Sequence, residues 1–183
     1  MDNNSITRKK DLLRREIKTI KRAMTPLQIA EKSTAIHRQL ELMTEFQEAN
    51  TILAYMALPD EVQTLSFLQS WIAKKRIVLP VVNGDTLDLR EYFPDGRLQK
   101  SGSFGIMEPH QGPLVSPDEI DFAIIPGLAF DCENNRLGRG KAFYDKLLRT
   151  SGFFKVGVCF LEQLVDNVPV DEFDVKMDRV IVA

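Results

Sequence analysis

The sequence predicts an α/β fold: one domain over residues 1–183, in three layers, with a mostly parallel sheet between helices. Three observations carry that reading. Apolar runs at 51–57, 76–82, 122–125 and 154–160 read as strands, those at 122–125 and 154–160 as strands buried on both faces. Helical patterns stand between them, at 26–43, at 64–73 and around Leu147-Leu148, after a first helix at 5–22. Turn residues mark the changes, at Thr25-Pro26, Pro59-Asp60, Asn83-Gly84 and Pro126-Gly127. A chain of 183 residues is long enough for a sizeable core.

Each element has a local reason. In 5–22, Leu12, Leu13, Ile17 and Ile20 make an apolar stripe, with Ser5 or Thr7 as the expected cap. The opposite face is basic, and Lys10 and Arg14, four apart, can reach one phosphate group. A solvated charged face and a nucleic-acid contact are the competing readings of that stripe. Pro26 suits the first turn of a second helix, with Ile29, Ile36 and Leu40 inside. His37 is read as a surface residue of that helix, and His110, in a Gly/Pro-rich loop, is given no role. Asn83-Gly84 between 76–82 and 87–93 reads as a hairpin turn, so the sheet has a mixed edge. Residues 94–119 are rich in Gly, Pro and Ser and read as a long ordered loop. A short strand at 179–182 closes the chain.

Bulk properties exclude several classes. With 24 Lys and Arg against 26 Asp and Glu, the whole molecule is not a polyanion binder by charge. Cys132 and Cys159 have neither paired nor metal-ligand spacing. Cys132 beside the basic loop is open to two readings, a reactive thiol or an ordinary free cysteine. The first residues lack the apolar centre of a signal peptide, and no apolar run approaches the roughly 20 residues of a membrane span. The expectation is a cytoplasmic protein without membrane contact.

The most informative stretch is 124–148, a strand, a polar loop and a helix. Arg136, Gly138, Arg139, Gly140 and Lys141 fill the loop. Glycines let backbone approach a ligand closely, and cations around such a turn favour an anion, above all a polyphosphate. The loop is not a Walker A motif: Asn135 stands where the first Gly belongs, and Ala142 where Ser or Thr would hold magnesium. It also lacks the third glycine of a dinucleotide fingerprint. A surface turn with solvated Arg and Lys is the competing reading.

The residues Pro126-Gly-Leu-Ala-Phe-Asp131, Asn135-Arg-Leu-Gly-Arg-Gly-Lys141 and Phe143-Tyr-Asp145 resemble the signature of the 5-formyltetrahydrofolate cyclo-ligase, or methenyltetrahydrofolate synthetase, family. Weaker likeness extends from Lys10 to the C-terminus. One departure is Ala142, where the family usually has Gly; Ala is the better helix former. The resemblance implies a Rossmann-like architecture. It also implies ATP-dependent closure of 5-formyltetrahydrofolate, with or without a polyglutamate tail, to 5,10-methenyltetrahydrofolate, with release of ADP and phosphate. ATP binding falls to Lys10, Arg14, Arg136, Leu137, Gly138, Arg139, Gly140, Lys141, Ala142, Phe143 and Tyr144. Folate binding falls to Met56, Glu61, Arg139, Phe143 and Tyr144, and the catalytic cations are Arg139 and Lys141. Residues 104–109 would help wall the substrate pocket. Magnesium falls to Asp145 and Asp174, carboxylates being suited to that hard cation. An intrahelical pair with Arg149 competes for Asp145, and a helix N-terminal role for Glu61. A monomer that binds no nucleic acid is expected. The rival functions are another ATP-dependent phosphotransferase and a nucleic-acid binder using the first helix.

Overall fold

The computed structural model describes residues 3–94, 98–101, 106–109 and 112–183, with only the backbone of 3–4, 98–101 and 106–109. Helix α1 spans Asn3–Lys21, α2 Pro26–Glu41 and α3 Thr44–Glu48. Strand β1 (Thr51–Leu53) is followed by α4 (Leu65–Trp71), β2 (Arg76–Asn83) and β3 (Thr86–Glu91). A ribbon of β4 (Leu98–Ser101) and β5 (Ile106–Pro109) precedes β6 (Phe122–Pro126). Then come β7 (Ala129–Phe130), β8 (Arg136–Leu137), α5 (Phe143–Arg149), β9 (Phe154–Cys159) and β10 (Arg179–Val182).

The main sheet has the order β10-β9-β6-β1-β2-β3 and is parallel except for β3, which pairs antiparallel with β2. The mixed edge is therefore as expected. Gly84, at φ +59, makes the β2–β3 turn that Asn83-Gly84 predicts. Side chains alternate across the sheet. Ile52, Ile77, Leu79, Phe122, Ile124, Val156 and Val158 pack with Ile36, Leu40, Phe46 and Leu68 from α2, α3 and α4. Leu53, Val78, Ala123, Ile125 and Cys159 face the other way, onto Leu148 of α5 and Met177. Helices on those two faces, with the sheet between them, make the three layers. No described helix is long and apolar enough to cross a membrane.

The sheet has a topological switch point. From β1 the chain steps outward to β2 and β3, then returns to place β6 on the other side of β1. The loops leaving the carboxyl ends of β1 and β6 therefore diverge, and a crevice opens between them. Residues 54–64 follow β1; residues 127–142 follow β6.

Three expectations about these elements are corrected. α1 already includes Ser5 and Thr7, so neither caps it. Of its expected stripe, Leu12 and Ile20 are exposed, and the buried face instead carries Lys10, Ile17 and Lys21. The reason is where α1 docks: Ile17 and Leu13 pack on Ala129, Leu137 and Val168 around the small β7–β8 ribbon, not on the main sheet. The stretch 94–119 is not loop throughout, since β4 and β5 pair antiparallel and Pro117–Glu119 forms a 3-10 turn capped by Ser116. Of the expected pocket wall at 104–109, residues 104–105 lie outside the described residues, as does His110.

Candidate active site

The loop after β1 is braced from several sides. The Tyr55 hydroxyl donates to Val62 O at 2.9 Å, and the Thr64 hydroxyl to Tyr55 O at 2.5 Å. The side chain of Gln63 donates to Leu58 O and Glu61 O, each at 2.8 Å. Helix α2 pins the same loop: Ser33 Oγ accepts from Gln63 N at 3.0 Å, and His37 Nε2 donates to Gln63 O at 2.7 Å. His37 also stacks on Phe67 and is half-buried, so it braces the loop rather than standing as a free surface residue.

Asp131 organises the opposite loop. Buried at 2% exposure, it accepts from the backbone N–H of Glu133, Asn135 and Val168 and from Asn135 Nδ2. Burial pushes its carboxyl up, but this set of hydrogen bonds outweighs it and holds the group below its ordinary value. The turn brings Asn134 to φ 64 and sends the chain back through β8.

Between the two loops lies a cleft. It is lined by Met56, Leu58 and Glu61 on one side and by Arg136, Gly138, Arg139, Lys141, Ala142, Phe143, Tyr144 and Asp145 on the other. Tyr55, Pro80, Val82, Leu87, Pro126 and Gly127 complete the wall, and most of them are apolar. Arg139 bridges the gap: Nη2 and Nε donate to Glu61 Oε1 at 2.7 and 3.1 Å, and Nη2 to Asp60 Oδ1 at 3.1 Å. Burial lowers the pKa of Arg139, but Glu61 and Asp60 more than offset it, and the net shift is upward. Glu61, 8% exposed, is thus held by Arg139 and by Leu58 N rather than by a helix N-terminus; α4 starts beyond it, after Thr64. Lys141 is exposed and has no ion-pair partner among the described residues.

The remaining predicted residues take distinct places. Arg136 is 4% exposed; it donates to Asp145 Oδ1 at 2.7 Å and to Pro126 O at 3.3 Å, and lies 5.6 Å from the Tyr144 ring centroid. Its Nε is buried without a partner. Asp145 therefore pairs with Arg136, not with Arg149, whose guanidinium donates to Phe173 O. Leu137 is core, at 1% exposure. Burial, with the negative charge at Glu61, pushes the Tyr144 hydroxyl well above its usual range. Arg14 comes from α1 to the loop: its Nε donates to Gly138 O at 3.0 Å, and its guanidinium carbon lies 3.5 Å from where a side chain on Gly140 would begin. Gly140 has φ +101, a conformation glycine adopts freely. Lys10 turns instead to the C-terminal segment, pairing with Asp171 at 2.7 Å and Asp174 at 2.5 Å. Lys10, Arg14 and Asp174 stand outside the cleft lining, with Arg14 packed directly behind it.

Ala142 departs from the expectation that it helps form the helix. It is the N-cap of α5, at φ 54 and ψ 14, a left-handed conformation that costs an L-residue about 1–2 kcal/mol. Helix propensity is irrelevant there, and glycine would fit without strain.

An α/β protein with a basic glycine loop facing an acidic loop across its sheet's switch point has the make-up of an enzyme with a ligand site there. The chain belongs to the 5-formyltetrahydrofolate cyclo-ligase family, whose sequence model matches residues 6–183. It is 31% identical to the 5-formyltetrahydrofolate cyclo-ligase of Haemophilus influenzae, over 96% of this chain and 98% of that protein. The solved structure of the 5,10-methenyltetrahydrofolate synthetase of Aquifex aeolicus superposes with a TM-score of 0.85 at 30% identity, covering 94% of this chain and 89% of that one. That of Mycoplasma pneumoniae gives 0.76 at 25% identity, covering 94% and 97%.

Proposed function

We propose that this chain closes 5-formyltetrahydrofolate to 5,10-methenyltetrahydrofolate at the expense of ATP. The observation that carries the reading is the cleft itself, where the basic loop of residues 136–141 faces Met56 and Glu61. An N-formyl group is an amide, and its oxygen leaves poorly. In the proposed reaction that oxygen attacks the γ-phosphorus of ATP, an O–P bond forms, and the bond to ADP breaks. N10 of the same substrate then attacks the formyl carbon and loses its proton, and the C–O bond breaks as phosphate departs. Both reacting groups belong to the ligands, so the protein's work is positioning and charge neutralisation.

Lys141, exposed and without an ion-pair partner among the described residues, is the cation of the loop free to meet a phosphate. Arg139 holds Glu61 and orients it toward the pterin's N–H edge, where a carboxylate accepts two hydrogen bonds. Arg14 sets the Gly138–Gly140 backbone, and Lys10, paired with Asp171 and Asp174, ties α1 to the C-terminal segment beside it. Phe143 and Tyr144 supply aromatic surface to a flat ring, with Tyr144 also packed on the core. Leu137 and Ala142 contribute backbone to the nucleotide loop, and Met56 apolar contact to the folate.

Asp145 fits a magnesium ion. Its carboxylate lines the cleft with one oxygen on Arg136, and this cation is commonly held by one or two carboxylates plus substrate phosphates. When bound, the ion would neutralise charge on the transferring phosphoryl group. Asp174, which accepts from Lys10 and from Asp171 N, fits the role of setting Lys10. We assign the reaction to a monomer in the cytoplasm, where unpaired cysteines such as Cys132 and Cys159 are ordinary.

The test is direct. Mixing the protein with 5-formyltetrahydrofolate and Mg-ATP should raise the near-ultraviolet absorbance of the methenyl product and release ADP and phosphate one for one. ATP turnover with other acceptors but none with this folate would refute the reading.

A further inference from the structure

We propose that Lys21 is a positioning residue for this reaction: through Asp60 it fixes the Arg139 guanidinium against Glu61. The inference rests on the functional reading above and extends it to residues outside the family signature.

Lys21 ends α1, is 2% exposed, and places Nζ 3.0 Å from Asp60 Oδ2. Among the described residues Asp60 is the ion-pair partner of the ammonium, at an approach that leaves Nζ without a well-aligned hydrogen bond. Asp60 uses its other oxygen, Oδ1, to accept from Arg139 Nη2 at 3.1 Å. Arg139 in turn donates to Glu61 Oε1 at 2.7 Å. Two cations and two carboxylates thus alternate in a line from α1 to the cleft. Each oxygen of Asp60 has one cation, so neither is free to chelate Arg139.

The placing is costly for the fold. A buried ammonium with one poorly aligned partner loses more in desolvation than a single ion pair returns, and because Asp60 is partly exposed and keeps Arg139, an apolar side chain of similar length would strand no charge there. Burial accordingly lowers the pKa of Lys21 despite the negative charge at Asp60. A group that the core would sooner do without has its effect elsewhere, and among the described residues its ion pair leads through Asp60 to Arg139. Without Lys21, Asp60 can turn both oxygens on Arg139 and draw it from Glu61. The cleft would keep its residues but lose their alignment, and misplacement by about 1 Å can cost up to 100-fold in rate.

The experiment compares wild type, Lys21→Met, Asp60→Asn and the double variant, reading melting temperature, kcat and both KM values in the methenyl assay. The expected Lys21→Met protein melts no lower than wild type, keeps both KM values within about twofold, and loses about tenfold in kcat. Asp60→Asn falls to the same level, and adding Lys21→Met to it changes nothing further, because both act on one contact. A wild-type kcat in Lys21→Met, an equal further fall in the Asp60→Asn background, or a Lys21→Met protein that does not fold would each overturn the inference. An inactive wild type would instead defeat the functional reading itself.

Discussion

Arg139 and Lys141 illustrate why neighbouring cations in one motif are not equivalent. Arg139 neutralises two carboxylates, one of them buried, whereas Lys141 is exposed and pairs with nothing described. Lys141→Ala should therefore leave the melting temperature unchanged while lowering kcat/KM by about 10–100-fold, the value of one charged hydrogen bond to phosphate. Arg139→Ala should lower both, since it strands the Glu61 carboxylate at 8% exposure. Steady-state kinetics beside a thermal melt separate the two cases. Turnover unchanged in both variants would remove the basic loop from the mechanism. The identities of these residues were legible in the sequence because Gly138, Gly140 and the cations sit close together. The partners of Arg139 were not: Glu61 and Asp60 lie 78 and 79 residues away along the chain, and only folding brings them to it.

At the scale of elements, Asp131 holds the basic loop in place. Its four donors, three of them backbone, lose their common acceptor in Asp131→Ala. Three of those donors are buried, and an unsatisfied buried donor costs about 1–3 kcal/mol, so a loss of roughly 3 kcal/mol or more is expected. In a chain of this size that lowers the melting temperature by about 6–12 °C. Hydrogen exchange over residues 131–142 should quicken more than in β6; uniform exchange across both would deny the loop its separate support. The turn was readable in principle, because an Asp followed by Glu133, Asn134 and Asn135 is a turn-forming run. The β7–β8 ribbon it closes was not, since strands two residues long carry no periodicity. The same limit hid β4 and β5 inside a Gly- and Pro-rich stretch. Helix α1 misled for another reason: its buried face is half basic, because it packs against a ribbon and an acidic tail rather than a hydrophobic sheet.

For the molecule as a whole, the sheet was the most legible feature, because buried parallel strands demand apolar runs that stand out from their surroundings. The strand order was not written locally, and the switch point that creates the cleft follows from it. The core depends on two glycines that flank one ring. Phe130 is fully buried; a methyl group on Gly127 would come within 2.6 Å of its ring, and one on Gly157 would also collide with it. Gly157→Ala should destabilise by about 1–3 kcal/mol, measured by denaturant midpoint, because the ring has nowhere to retreat. A neutral result would mean that the core is looser than its packing indicates. Acid should unfold the protein through its carboxylates. Despite the opposing effect of burial, Asp131 and Asp171 are held below their ordinary value of 3.8 by hydrogen bonds, the Lys10 ammonium adding to them at Asp171. Their contribution is complete above that pH and drains away as the pH falls through the lowered folded values, so the stability lost to them should be lost below about pH 4. Replacing Asp131 by Asn should flatten that part of the curve.

The fate of one oxygen atom decides the chemistry. With 18O in the formyl group of 5-formyltetrahydrofolate, a single turnover with Mg-ATP should deliver the label to the released phosphate. Label found in water, with unlabelled phosphate, would contradict phosphoryl activation in this cleft.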